Sequence, residues 1–165
     1  AKKTKAEPSS VAWPRLLARL ADAFGFRQTC GTAAGRGWLA GWLGDAGERR
    51  AASFLRQQGY QILARRYRTQ FGEIDLVARD GACIVFVEVK TRRTGSAGQP
   101  HEAVDRAKQM QLTRLALAFL KRYRLLEQPA RFDVVSIVWD SATGEPQIVH
   151  YKNAFEPPGR GQMFA

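Results

Sequence analysis

Two acids and a lysine stand where a sheet protein ordinarily carries valine: Asp75 within Gly72-Glu73-Ile74-Asp75, then Glu88 and Lys90 within Glu88-Val89-Lys90. Carboxylate oxygens brought to one point suit a hard cation such as Mg²⁺, which keeps several waters and takes only one or two protein carboxylates. A lysine beside them suits an anionic substrate or the activation of a water. The same residues could instead form a salt-bridge cluster, Lys90 neutralising Glu88 at a strand end that reaches solvent. A buried carboxylate without a partner costs several kcal/mol or changes its protonation state, so the cluster needs a reason and the two explanations compete.

Whether the three residues meet depends on the strands that carry them. Asp80-Gly81 between two apolar runs is a two-residue hairpin signal, which lays the runs side by side and antiparallel. A turn at Asp80-Gly81 pairs Arg79 with Ala82, Val77 with Ile84, Asp75 with Phe86 and Glu73 with Glu88. Side chains alternate along a strand, and opposed residues share a face. Glu73, Asp75, Val77, Ile84, Phe86, Glu88 and Lys90 then line one face, and Ile74, Leu76, Ala78, Cys83, Val85, Val87 and Val89 the other.

The rest of the chain supplies the frame. Asp45-Ala46-Gly47-Glu48 reads as a capping box opening a helix through Ala51, Ala52, Phe54 and Leu55 that Gly59 ends. Strands are expected at Tyr60–Tyr67, Glu73–Arg79, Cys83–Lys90, Phe132–Trp139 and Gln147–Lys152, with a basic loop at Thr91–Gln99, a long helix at His101–Tyr123 and a turn at Ser141–Pro146. The order α-β-β-β-α-β-β gives an α/β fold with a small mixed sheet flanked by helices, because the long helix can return the chain parallel to a neighbouring strand. Composition divides the chain into a basic extension over 1–43, with a short helix and a Gly-rich linker, a domain over 44–155, and a tail over 156–165. Trp38 and Trp42, four apart, could stack on bases, lie on a membrane or dock on the domain.

With 26 Lys+Arg against 15 Asp+Glu, a formal charge of +11 and a pI near 10.4, the chain favours a polyanionic partner, nucleic acid before a membrane surface. At 165 residues and 45% hydrophobic it is large enough for a real core. Its two cysteines, Cys30 and Cys83, are too few for a disulfide framework or a zinc site. No apolar run is long enough to span a bilayer, and the basic start Lys2-Lys3-Thr4-Lys5 lacks the apolar core of a signal peptide, so a cytoplasmic protein with no membrane partner is expected.

Glu48 on the first helix, then Asp75, then Glu88-Val89-Lys90, in this element order, resemble the PD-(D/E)xK nuclease superfamily, the restriction-endonuclease-like fold. Gly47-Glu48, Gly72-Glu73-Ile74-Asp75-Leu76, Phe86-Val87-Glu88-Val89-Lys90, Lys108-Gln109, Arg131-Phe132-Asp133-Val134-Val135 and Asn153-Ala154-Phe155 are similar to the bacterial UPF0102 (YraN-like) family, which has kinship to Holliday-junction resolvases. The resemblance covers about residues 44–155. Arg66 departs from it, since relatives often carry asparagine there.

The resemblance implies a metal-dependent endonuclease acting on DNA, branched or damaged structures included. Asp75 and Glu88 would hold Mg²⁺, with Mn²⁺ as an alternative, and the Val89 carbonyl could add a ligand. Lys90 would orient the attacking water or stabilise transition-state charge. Glu48 would be a further metal or water contact, set against its work in the capping box; Glu73 is structural. Arg92, Arg93 and Lys108 are placed to meet phosphates, without reading sequence. Cutting a junction at paired positions would favour a homodimer. A non-catalytic nucleic-acid-binding module on the same fold is the alternative, and a basic scaffold docking through Trp38 and Trp42 a third.

Overall fold

The computed structural model describes residues 13, 38–93, 104–140 and 144–158, with side chains of the first helix from Gly44 onward. The chain divides into two compact units, 1–30 and 31–165, and everything below concerns the second. The expected short helix, Gly-rich linker and Trp38/Trp42 side chains, most of the Thr91–Gln99 loop and the end of the tail lie outside the described residues.

Central strands buried on both faces build the molecule. Helix α1 (Trp38–Gln57) leads into β1 (Gln61–Thr69), β2 (Gly72–Asp80) and β3 (Cys83–Arg93); α2 (Arg106–Tyr123) crosses to β4 (Ala130–Trp139), and β5 (Pro146–Phe155) closes a five-stranded sheet in sequential order. Only β3 and β4 pair in parallel, which makes the sheet mixed as the element order requires. Leu76, Ala78, Val85, Val87, Val135 and Ile137 cluster with Ala51, Ala52 and Leu55 of α1. On the other face Phe119 of α2 meets Tyr67 and Phe86 edge-on, with ring centroids 5.1 and 5.8 Å apart. Both faces are therefore covered, and the charged positions of β2 and β3 belong to the end where that cover runs out.

The hairpin between β2 and β3 corrects the expected register. Asp80 pairs with Cys83 and Leu76 with Val87, so the two loop residues are Gly81 and Ala82, not Asp80 and Gly81. Gly81 sits at φ 59, and glycine at the first loop position is what a mirror-type hairpin turn calls for. Moving the turn by one residue slides the pairing by two, and an even slip keeps every side chain on its assigned face.

Helix α1 also differs from expectation. It begins at Trp38 and runs through residue 44, so Asp45 is an interior residue and Glu48 caps nothing. Its end agrees: Gly59 takes φ 88, and the Tyr60 N–H closes back on the Leu55 carbonyl at 3.0 Å. Helix α2 starts at Arg106, where Asp105 accepts the Lys108 N–H at 2.8 Å, rather than at His101.

Two glycines of α1 make opposite predictions. A Cβ on Gly47 would collide with the β-branched side chain of Thr91 on β3, whereas a Cβ on Gly44 meets nothing. Gly47→Ala should cost about 1–3 kcal/mol by overpacking. Gly44→Ala should stabilise by up to roughly 1 kcal/mol through helix propensity. Urea denaturation of the two variants checks both signs.

Candidate active site

The β2–β3 ladder stops at Leu76–Val87, one position short of Asp75 and Glu88. Continued, it would set those two directly opposite each other; instead the Asp75 carboxylate takes up the Val89 N–H, with Oδ2 at 2.7 Å. A side-chain oxygen thus stands in for a strand partner at the point where the ladder ends. Lys90, two residues beyond Glu88 on the same face, places its Nζ 3.1 Å from Glu88 Oε1. From α2, Lys108 brings Nζ to 3.2 Å of Glu88 Oε2. That second oxygen is buried and has no hydrogen-bond partner, so its approach to Lys108 is ionic without hydrogen-bond geometry.

The electrostatics follow from that crowding. Burial pushes the Asp75 carboxyl up, and Glu88 and then Glu48 push it further; the Val89 N–H and Lys108 oppose them, and the balance lies at about 7. Metal-free, Asp75 is poised between acid and carboxylate near neutral pH. A carboxylate pair in this state favours arrival of a cation, which relieves the repulsion that holds the proton on.

Glu48 is nearly buried and close enough to act on Asp75, but its Oε2 is held by Arg66 Nε at 2.7 Å. Arg66 also reaches Asp45 Oδ1 at 2.9 Å, and Asp45 pairs with Arg49. Arg66 adopts φ 50, a left-handed conformation that asparagine tolerates better than most residues. Arg66 thus holds Glu48 from a left-handed backbone position. Among the described residues no three His, Cys, Asp or Glu side chains gather closely enough to hold a metal ion by themselves. What is gathered is two carboxylates, the set that Mg²⁺ accepts when waters and substrate oxygens complete its shell.

The other expected residues separate. Glu73 pairs with Arg68 across the β1–β2 hairpin at 2.7 Å in an exposed contact, in keeping with a structural role. Arg92 and Arg93 belong to β3, opposite Val138 and Trp139 of β4, rather than to a loop. Lys108 touches Glu88 itself, a contact that sequence reasoning missed by assigning it to phosphate alone; its Lys-Gln signal was visible, its partner was not. Arg66 as the holder of Glu48 was likewise missed. No helix among the described residues is long and apolar enough to cross a membrane.

The profile described as "Uncharacterised protein family UPF0102" matches residues 47–137, which contain every residue of this site. A UPF0102 protein of Geobacter metallireducens is 50% identical over 114 residues, 69% of this chain and 92% of that relative. One from Symbiobacterium thermophilum is 54% identical over 95 residues, covering 58% and 80%, and one from Caldicellulosiruptor saccharolyticus is 43% identical over 113 residues, covering 68% and 96%. Matched across the strands and helices that carry Glu48, Asp75, Glu88, Lys90 and Lys108, the chain belongs to the UPF0102 family.

Proposed function

We propose that this protein is a divalent-metal-dependent endonuclease that hydrolyses phosphodiester bonds in DNA. The observation that carries the reading is the meeting of Asp75, Glu88, Lys90 and Lys108 where the β2–β3 ladder ends. Asp75 and Glu88 would hold Mg²⁺, or Mn²⁺ in its place. When bound, the ion would supply a Lewis acid for the phosphodiester and lower the pKa of a water. Lys90 and Lys108, both within ion-pair reach of Glu88, can turn to a scissile phosphate and offset the charge that builds on it in the transition state. The resemblance of this constellation to PD-(D/E)xK nucleases and the net charge of +11 support the same substrate.

A metal-free nucleic-acid-binding module is the competing reading, favoured by the fact that Glu88 already has two lysines beside it. Purified protein incubated with labelled duplex, single-stranded and four-way-junction DNA separates the two. Cleavage should require Mg²⁺ or Mn²⁺, stop in EDTA, and vanish in an Asp75→Asn/Glu88→Gln double variant. Cleavage that survives in the double variant overturns the nuclease reading, and salt-sensitive binding with no cleavage under any metal supports the binding module.

A further inference from the structure

The tip of the β1–β2 hairpin, Gln70-Phe71, presents an aromatic ring that the core does not use. Phe71 is 52% exposed. Its backbone is nonetheless held at two points: its N–H donates to Thr69 Oγ1 at 3.0 Å, and its carbonyl accepts from Gln111 Nε2 of α2 at 2.9 Å. Gly72 follows at φ 125, close enough to Gln111 that a Cβ there would meet the amide. The tip is thus tied to α2 by its main chain while its side chain stays half exposed.

Opposite the ring, the solvent side of α2 completes an open groove of about 550 Å³, lined by Phe71, Lys108, Met110, Gln111 and Arg114, with Asp105 at its helix end. Met110 is 43% exposed. Single exposed apolar residues are ordinary, but an aromatic and a methionine facing one groove between two cations are a composed surface. Asp105 sets one negative charge against the two cations, and its Oδ1 accepts the Lys108 N–H at 2.8 Å. Lys108 joins the groove to the site: it lines the one and stands 3.2 Å from Glu88 Oε2 in the other.

We propose that this groove seats an unpaired DNA base against Phe71, with the neighbouring phosphates on Lys108 and Arg114; the inference rests on the nuclease reading above and narrows its substrate to strands locally out of duplex. A base offers its flat face to an aromatic ring only when it is not stacked in a helix, and such stacking is indifferent to sequence. A fixed backbone under the ring keeps the ordering cost of the contact low. The cations supply phosphate attraction on either side, so the groove recognises a flexible strand by face and charge.

Fluorescence anisotropy in EDTA tests this without cleavage, using a labelled thymidine 20-mer, the same strand with its central bases removed, and a uridine 20-mer. Phe71→Ala should weaken binding of the intact DNA strand roughly 5- to 100-fold and leave the abasic strand unchanged, while Phe71→Trp retains affinity. Arg114→Ala should weaken both DNA strands alike and flatten the salt dependence. Equal weakening of intact and abasic strands by Phe71→Ala, or none of either, overturns the stacking role. A Phe71 effect confined to the uridine strand overturns the assignment to DNA. Because the readout is metal-free binding, stacking can fail while metal-dependent cleavage stands, and cleavage can fail while stacking stands.

Discussion

Asp75→Asn should abolish cleavage and, in metal-free protein, make the fold more stable above pH 7. The first effect follows from removing one of two carboxylates that would hold the ion; a loss of at least roughly 10³-fold in rate matches the several kcal/mol such an ion contributes. The second follows from proton linkage. Folded Asp75 titrates at about 7, raised first by burial and then by Glu88, against about 3.9 in an unfolded chain. Between those values the folded state holds a proton that the unfolded state has lost, so wild-type stability falls as pH rises through that window and stays reduced above it. At about 1.4 kcal/mol per pKa unit the whole penalty is on the order of 4 kcal/mol. Asparagine keeps an acceptor for the Val89 N–H and never ionises. Urea denaturation from pH 4 to 9 in EDTA should show the wild type declining and the variant flat. Equal slopes in the two proteins would remove the electrostatic argument for a site held under strain, and an active Asp75→Asn enzyme would remove Asp75 from the chemistry.

Part of the site was legible in the sequence because its charges interrupt an apolar pattern. Charged residues at alternating positions on otherwise apolar strands announce a face, and the face survived even though the turn moved from Asp80-Gly81 to Gly81-Ala82. Parity protects such a reading against an even slip, and here the slip improved it by bringing Asp75, rather than Glu73, level with Glu88. Asp80 instead ends the ladder opposite Cys83, and its carboxylate meets Arg131 at 3.0 Å, fifty-one residues away. The contacts that local pattern did not reveal are of the same kind. Lys108 on Glu88 and Arg66 on Glu48 join elements whose relative placement depends on both packed faces of the sheet. Glu48 misled because Asp45 and Glu48 have capping spacing, yet α1 starts seven residues earlier than Asp45. Spacing alone cannot tell a cap from an interior turn of helix, and here the helix runs on through Gly41 and Gly44 in spite of their poor propensity.

Asp133 offers the second large effect, at a place where the chain invests in a buried charge for the fold alone. It was visible in the sequence only as part of Arg131-Phe132-Asp133-Val134-Val135. In the structure its side chain is fully buried. Oδ1 accepts from Arg131 Nε at 3.0 Å and from the Asn153 N–H at 2.9 Å, and Oδ2 meets His150 Nε2 at 2.8 Å. Arg131 extends the network to Tyr60 at 2.9 Å and to Asp80. The β4–β5 register shifts between Phe132 and Val134, and Asn153 takes φ 50, so the Asn153 N–H is available to the carboxylate. One carboxylate thus fastens the irregular end of β5 to β4. Asp133→Ala would leave Arg131 and His150 facing an empty site, and should cost about 3–5 kcal/mol, the usual result of removing one member of a buried ionic network. That is a large share of the roughly 5–15 kcal/mol holding an ordinary domain together. Asp80→Ala is the control: this carboxylate is 44% exposed, and its loss should cost no more than about 1 kcal/mol. Burial alone would raise the Asp133 pKa, but His150, the Asn153 N–H and Arg131 bring it below the ordinary value. Its stabilisation is therefore present above about pH 3.9 and lost as pH falls towards the folded value, the opposite limb to Asp75. Denaturation midpoints at pH 3, 5 and 8 distinguish the two aspartates: Asp133→Ala should be lower than wild type at pH 5 and 8 and converge with it in acid. A deficit below about 1 kcal/mol at pH 8 would mean that the network adds little, and that apolar packing of β5 against β4, with Phe155 stacked on Phe132 at 4.7 Å, holds the strand without it.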